Sequence, residues 1–212
     1  VLLEGRAQTE TFAPRLRDWL LDWDRTRSPR YEAELTRFID ASAKAGLGIV
    51  APDGRDGMVQ HVDQFADAKV PFFLDPGQGL PMFSGPELLG MIRKASYLAV
   101  NDYEGKMLEE KTGKGLETIA GMVKALVVTK GAEGSTIYAE GQRHEIPSVK
   151  PDAVVDPTGC GDAYRSGLLY GIAAGYDWPT TGRLASLMGA IKVASRGGQN
   201  HSITRAAIGA RY

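Results

Sequence analysis

From Leu47 onward the sequence alternates short apolar runs with amphipathic stretches, and no other feature constrains its folding as tightly. The apolar runs fall at residues 47–51, 70–74, 97–100 and 126–129, and each reads as a strand. Between them lie 54–69, 85–95 and 116–125, each long enough to carry the chain back across a sheet as a helix. Strands alternating with crossover helices build a parallel sheet. The expected fold is therefore a three-layer α/β/α domain with a mainly parallel sheet and helices on both faces.

The tract 134–149 breaks that rhythm. Residues 135–139 and 143–146 flank a Glu-Gly turn and read as a β-hairpin at one edge of the sheet. Next, the β-branched pair Val154-Val155 reads as a short strand leading into the sequence DPTGCGD at 156–162. One helix is expected from there to about residue 175 and another at about 179–195. The first 46 residues stand apart as an atypical segment. Leu16, Trp19, Leu20 and Trp23 could share one face of a short helix and 31–45 could form another, with a weakly packing Arg/Asp-rich stretch between them. The α/β domain is then 47–212.

A chain of 212 residues suits one domain. With a formal net charge of -1 it has no field that would gather nucleic acid or an anionic membrane surface, so partners must be read from sites. The single cysteine, Cys160, precludes an internal disulfide, and no apolar run is long enough to span a bilayer, which together suggest a cytoplasmic enzyme. His61, His144 and His201 are widely separated and lack zinc-ligand spacing, so no transition-metal site is expected.

The chemistry concentrates in the tract after Val155. Gly159 and Gly161 would let successive backbone N–H groups face one concavity at a helix N-terminus, where the helix dipole favours a phosphate. Asp162, in the first turn of that helix, could accept the proton of an attacking hydroxyl; its other reading is a helix-capping carboxylate. Asn101 and Glu104 follow a strand and could serve a metal or simply cap a helix. Thr129, Lys130 and Gly131 make a turn that needs no ligand of its own. Asp75-Pro76-Gly77-Gln78 ends a strand near the expected ligand crevice and reads as an ordinary turn at least as well as it reads as a ligand contact.

The segment DPTGCGDAYRSGLLYG, 156–171, resembles the second signature of the ribokinase/PfkB carbohydrate and nucleoside kinases, and three more matches occur in the family's order. The resemblance implies that Gly159, Cys160 and Gly161 form an anion hole, with Cys160 as a small spacer, and that Asp162 is the catalytic base. Asn101-Asp102-Tyr103-Glu104 is similar to the family's N-x-x-E motif, which implies that Asn101 and Glu104 organise Mg2+ and phosphate through water. The stretch 126–134 resembles T-x-G-x-x-G, which puts Thr129, Gly131 and Gly134 against the nucleotide phosphates. Residues 195–200 resemble the R-x-G-A-Q element, which implies that Gly198 and Asn200 lie at the nucleotide base. In some members that element also binds a monovalent cation such as K+, here with Asp156 and Thr158 as partners.

The implied activity is transfer of the γ-phosphate of ATP to a hydroxyl of a small sugar or nucleoside. The wording is closest to bacterial adenosine-kinase-like members and favours adenosine over a free sugar, with no nucleic-acid or membrane partner; a homodimer is compatible with it. The family normally opens with a strand, a Gly-Gly signature that grips the acceptor, and a β-sheet lid. Only 46 residues precede Leu47 here, and the one Gly-Gly pair is Gly197-Gly198. The lid is accordingly expected to be absent, in a fragment or in a chain with a replaced N-terminus. A nucleotide-binding remnant without turnover is the alternative to an active kinase.

Overall fold

The structure, a computed structural model, describes residues 46–198, 200–201 and 204–211. The helices expected within 1–45, and any lid, fall outside the described residues. The domain runs β1 (Gly48–Val50), α1 (Arg55–Asp67), β2 (Phe72–Leu74), α2 (Gly85–Lys94), β3 (Tyr97–Asn101), α3 (Asp102–Thr112), α4 (Leu116–Ala120) and β4 (Ala125–Thr129). It continues with the hairpin β5 (Ser135–Ala139) and β6 (Gln142–Ile146), then α5 (Cys160–Ala173), α6 (Trp178–Val193) and α7 (Arg205–Arg211).

All six strands lie in one sheet in sequence order. β1 to β4 are parallel, and β5 and β6 add antiparallel to β4 with β6 at the edge. The hairpin turn falls on Glu140 and Gly141, both at positive φ (55° and 72°), the backbone that a two-residue hairpin loop requires.

Side chains of successive strand residues point to opposite faces, and here both faces are covered. On one, Phe72, Leu74, Leu98, Val100, Leu126 and Val128 pack with buried residues of α1 to α4. On the other, Phe73, Tyr97, Ala99, Ala125 and Val127 pack with Tyr164, Leu168 and Leu169 of α5 and Ala185 of α6. Burial on both sides explains why these strands read as unbroken apolar runs. The three-layer architecture with its edge hairpin is the one the sequence implies.

Three details differ from expectation. α3 is a full helix where none was assigned, and α4 covers only the first half of 116–125. Val154 and Val155 form no strand and lie exposed, at 78% and 53%. The amides of Val155 and Asp156 instead donate to the Val193 carbonyl at the end of α6, 2.8 and 3.1 Å away.

α5 and α6 lie close because small residues meet between them. A Cβ at Gly167 would come within 2.5 Å of the Ala185 Cα, backbone that cannot yield cheaply. Gly167→Val is therefore expected to lower the melting temperature by about 5–10 °C, the result of overpacking by about 2–3 kcal/mol. Gly90→Ala on α2, where a Cβ meets nothing within 4 Å, should leave it unchanged or raise it slightly, as relief of glycine's helix penalty predicts. Thermal denaturation of the two variants side by side checks the contrast.

Candidate active site

Parallel strands end on one side of a sheet, and that side is where open α/β sheets bind ligands. Asp75 follows the last residue of β2, Asn101 ends β3 and Thr129 ends β4. Asn101 and Thr129 are register partners, so these two expected site residues stand side by side. Beyond Thr129 the chain turns through Gly131, at φ 57° and exposed, to Gly134, at φ 92° and buried. A side chain at Gly134 would strike the Ile146 carbonyl, so this glycine has a structural reason beside its expected place at the nucleotide.

Asn101 caps α3 reciprocally with Glu104. The Asn101 side chain accepts from the Glu104 amide at 2.7 Å, and Glu104 Oε2 accepts from the Asn101 amide at 2.8 Å. The capping reading of this pair is thus correct, and it does not exhaust Glu104, whose Oε1 has no partner among the described residues. Among those residues no cluster of three or more His, Cys, Asp or Glu is gathered as for a metal. One spare carboxylate oxygen fits Mg2+ held mainly by its own waters and by phosphate.

The glycine turn is built at the start of α5. Gly159 is the N-cap, at φ 78° in the left-handed region, and no side chain caps the helix. The Cys160 amide donates to the Pro157 carbonyl at 3.1 Å, while the amides of Gly159, Gly161 and Asp162 have no partner among the described residues, the condition for receiving an anion. A Cβ on Gly159 would lie 3.0 Å from the Gly198 carbonyl oxygen, which brings the expected phosphate turn against the expected base-pocket loop. Cys160 sits behind the turn, with Sγ 3.9 Å from the Asp156 main-chain oxygen. Burial pushes its thiol pKa upward, away from thiolate character.

Asp156 ties the two loops together. Its Oδ1 accepts from the Thr158 amide at 2.9 Å and its Oδ2 from the Gly197 amide at 2.7 Å. These bonds, led by the one from Thr158, hold its carboxyl pKa at about 2. Its main-chain oxygen accepts from Lys192 Nζ at 3.1 Å. Asp156 thus meets a donor with each of its three oxygens, and because one of those donors is the Lys192 ammonium, K+ beside Asp156 would bring a second positive charge to a place already occupied by one. Asn200 is exposed beyond Gly197, with its side-chain amide beside that glycine.

Two residues at the centre of the site went unassigned in the sequence. Asp75 is 2% exposed and makes an ion pair with Arg165 of α5, Nη2 donating to Oδ1 at 2.9 Å while Nε lies against Oδ2 without making a hydrogen bond. Burial raises the Asp75 pKa to about 6; the guanidinium pulls it down, while Glu104 and Asp162 push it up. Arg165 Nη1 also lies 3.5 Å from Asp162, whose side chain is 87% exposed and points to solvent. The available hints were an acid at the end of a strand and an arginine in an otherwise small, apolar helix.

Residues 22–205 match the description of the pfkB family of carbohydrate kinases. Among solved structures, the nucleoside kinase of Burkholderia thailandensis in complex with inosine is 54% identical, with a TM-score of 0.78 over 79% of this chain and 55% of that one. The same enzyme in an ADP–inosine complex gives a TM-score of 0.77 over 79% and 52%, at the same 54% identity. The nucleoside kinase of Methanocaldococcus jannaschii is 36% identical over 127 residues, 60% of this chain and 42% of that protein. The chain thus spans about half the length of these relatives. With its fold, its ordered motifs and its profile in agreement, the chain belongs to the pfkB carbohydrate kinase family.

Proposed function

We propose that this chain carries the phosphoryl-transfer half of an ATP-dependent nucleoside kinase, with Asp162 as general base. The observation that carries the reading is the pairing of an α5 N-terminus that no side chain caps with the exposed Asp162 carboxylate in its first turn. The Asp162 carboxylate takes the proton of the acceptor hydroxyl as that oxygen bonds to the γ-phosphorus, the bridge to the β-phosphate breaks, and ADP leaves. In the turn Gly159 to Gly161 the amides of Gly159 and Gly161 hold the charge of the group in transit, with Cys160 as the spacer between them. Thr129, Gly131 and Gly134 border the nucleotide phosphates, and Gly198 and Asn200 the base. Mg2+, when bound, neutralises phosphate charge, and Glu104 Oε1 with Asn101 would hold it through water.

A nucleoside is favoured over a free sugar because the more similar relatives are nucleoside kinases, one of them solved with inosine. The test is acceptor-dependent ADP release with adenosine, inosine, ribose, fructose and fructose phosphates. Release with a nucleoside and none with the sugars is expected. Because the chain spans about half of its relatives' length, a second reading stands beside the first, nucleotide binding without turnover. ADP affinity with no release for any acceptor selects it.

Glu104→Gln separates the metal reading from the capping one. Glutamine can accept the same Asn101 amide, so the cap and the melting temperature should persist. The Mg2+ concentration needed for half-maximal ATP binding should rise about 10-fold, the usual cost of removing an outer-sphere partner. An unchanged Mg2+ titration removes Glu104 from the site.

A further inference from the structure

Lys192 lies in the last turn of α6 and is 0% exposed. A buried ammonium is costly unless its donors are met and its charge is balanced. Its Nζ donates to two main-chain carbonyls, those of Asp156 at 3.1 Å and Ser195 at 3.0 Å. The balancing charges are the Asp156 carboxylate, whose pKa Lys192 helps to lower, and the negative end of the α6 dipole. Carbonyl oxygens around a desolvated positive charge, with a carboxylate beside them, are the surroundings in which a protein holds a bare monovalent metal ion. Here the charge is covalently attached.

What it holds is the segment that shapes the phosphate turn. The amides of Val155 and Asp156 bond to the Val193 carbonyl, the Lys192 ammonium bonds to the Asp156 carbonyl, and the Gly197 amide bonds to the Asp156 carboxylate. Residues 155–156 are thus fastened across the end of α6 at three levels, and Gly159 follows three residues later against Gly198. Without the ammonium, the Asp156 and Ser195 carbonyls would face each other across a buried gap.

We propose that the Lys192 ammonium is the resident cation of the phosphate-binding turn, in the place a monovalent metal ion would take, so that nucleotide binding by this chain is independent of potassium. Lys192 is a positioning residue; it touches the loop and not the nucleotide. The proposal rests on the reading of Gly159 to Gly161 as a phosphate site.

The test compares the 212-residue chain, Lys192→Ala and Lys192→Met in potassium chloride, ammonium chloride and choline chloride at equal ionic strength. The readouts are melting temperature and ADP affinity. The parent should give the same values in all three salts, within about twofold in affinity. Lys192→Ala should lose stability and about 10-fold or more in ADP affinity in choline, the scale of charge-assisted hydrogen bonds lost. Potassium or ammonium, entering the vacated space, should restore much of both. Lys192→Met, which fills that space with an apolar chain, should be weakened without rescue. A parent that binds ADP several-fold more tightly in potassium than in choline overturns the proposal. So does a Lys192→Ala protein, folded or not, that responds to neither ion. Absence of ADP binding by the parent in every salt instead removes the phosphate-site reading, and the melting temperatures then decide the cation by themselves.

Discussion

Replacing Asp162 by Asn is expected to lower phosphoryl transfer by about 10²-fold or more while ADP affinity and melting temperature stay near those of the parent. The amide keeps the shape of the side chain and cannot accept the proton. A role in helix capping predicts the opposite pattern, and the structure already weakens it: Gly159 is the N-cap of α5, no side chain caps the helix, and the Asp162 side chain is 87% exposed. What its charge gives the helix is a dipole interaction of up to about 1 kcal/mol and a 3.5 Å contact with Arg165. Turnover, ADP affinity and thermal denaturation measured on the one variant decide the matter. Near-normal turnover with a lowered melting temperature would leave the proposed mechanism without its base.

The sheet was legible because burial on both faces leaves its strands no polar positions. Tyr97–Asn101 and Ala125–Thr129 read as apolar runs, and the hairpin Ser135–Ala139 and Gln142–Ile146 was marked by its Glu140-Gly141 turn. α3 was not legible by period, since only Gly105 and Leu108 are buried along it and its other positions are mostly polar. Its signal lies at its ends, in the Asn101–Glu104 capping box and in Gly113 in the left-handed region, and the first of these reads equally as a metal-serving pair. Val154-Val155 misled because β-branched residues favour strands only where a sheet receives them. The glycine turn and its acid could be read because they are contiguous. The Asp75–Arg165 pair joins positions 90 residues apart, and the ammonium of Lys192 meets Asp156 across 36, so neither pairing has a local signature.

Arg165→Met is expected to be the most destabilising change at the site, and its cost should depend on pH. Burial holds the Asp75 pKa at about 6 in the folded chain, against an ordinary 3.8. A carboxyl with a raised folded pKa makes its full contribution to stability below about pH 4, and that contribution is lost as pH rises through about 6. Above that point Asp75 is a buried anion, and the Arg165 guanidinium is what opposes its burial cost. Without the guanidinium the folded pKa should climb further, so the loss continues through neutrality. At pH 8 the unpaired carboxylate should cost about 3–5 kcal/mol, a fall of roughly 10 °C in melting temperature. At pH 5, where the acid is already mostly protonated, the fall should be a small fraction of that. Adding Asp75→Asn to Arg165→Met removes the stranded charge and should recover most of the loss at pH 8. Thermal denaturation of the parent, Arg165→Met and the double variant at the two pH values tests each step. An equal fall at both pH values would mean that Arg165 contributes packing against Gly161 rather than charge, and that Asp75 is not held as an anion at neutral pH.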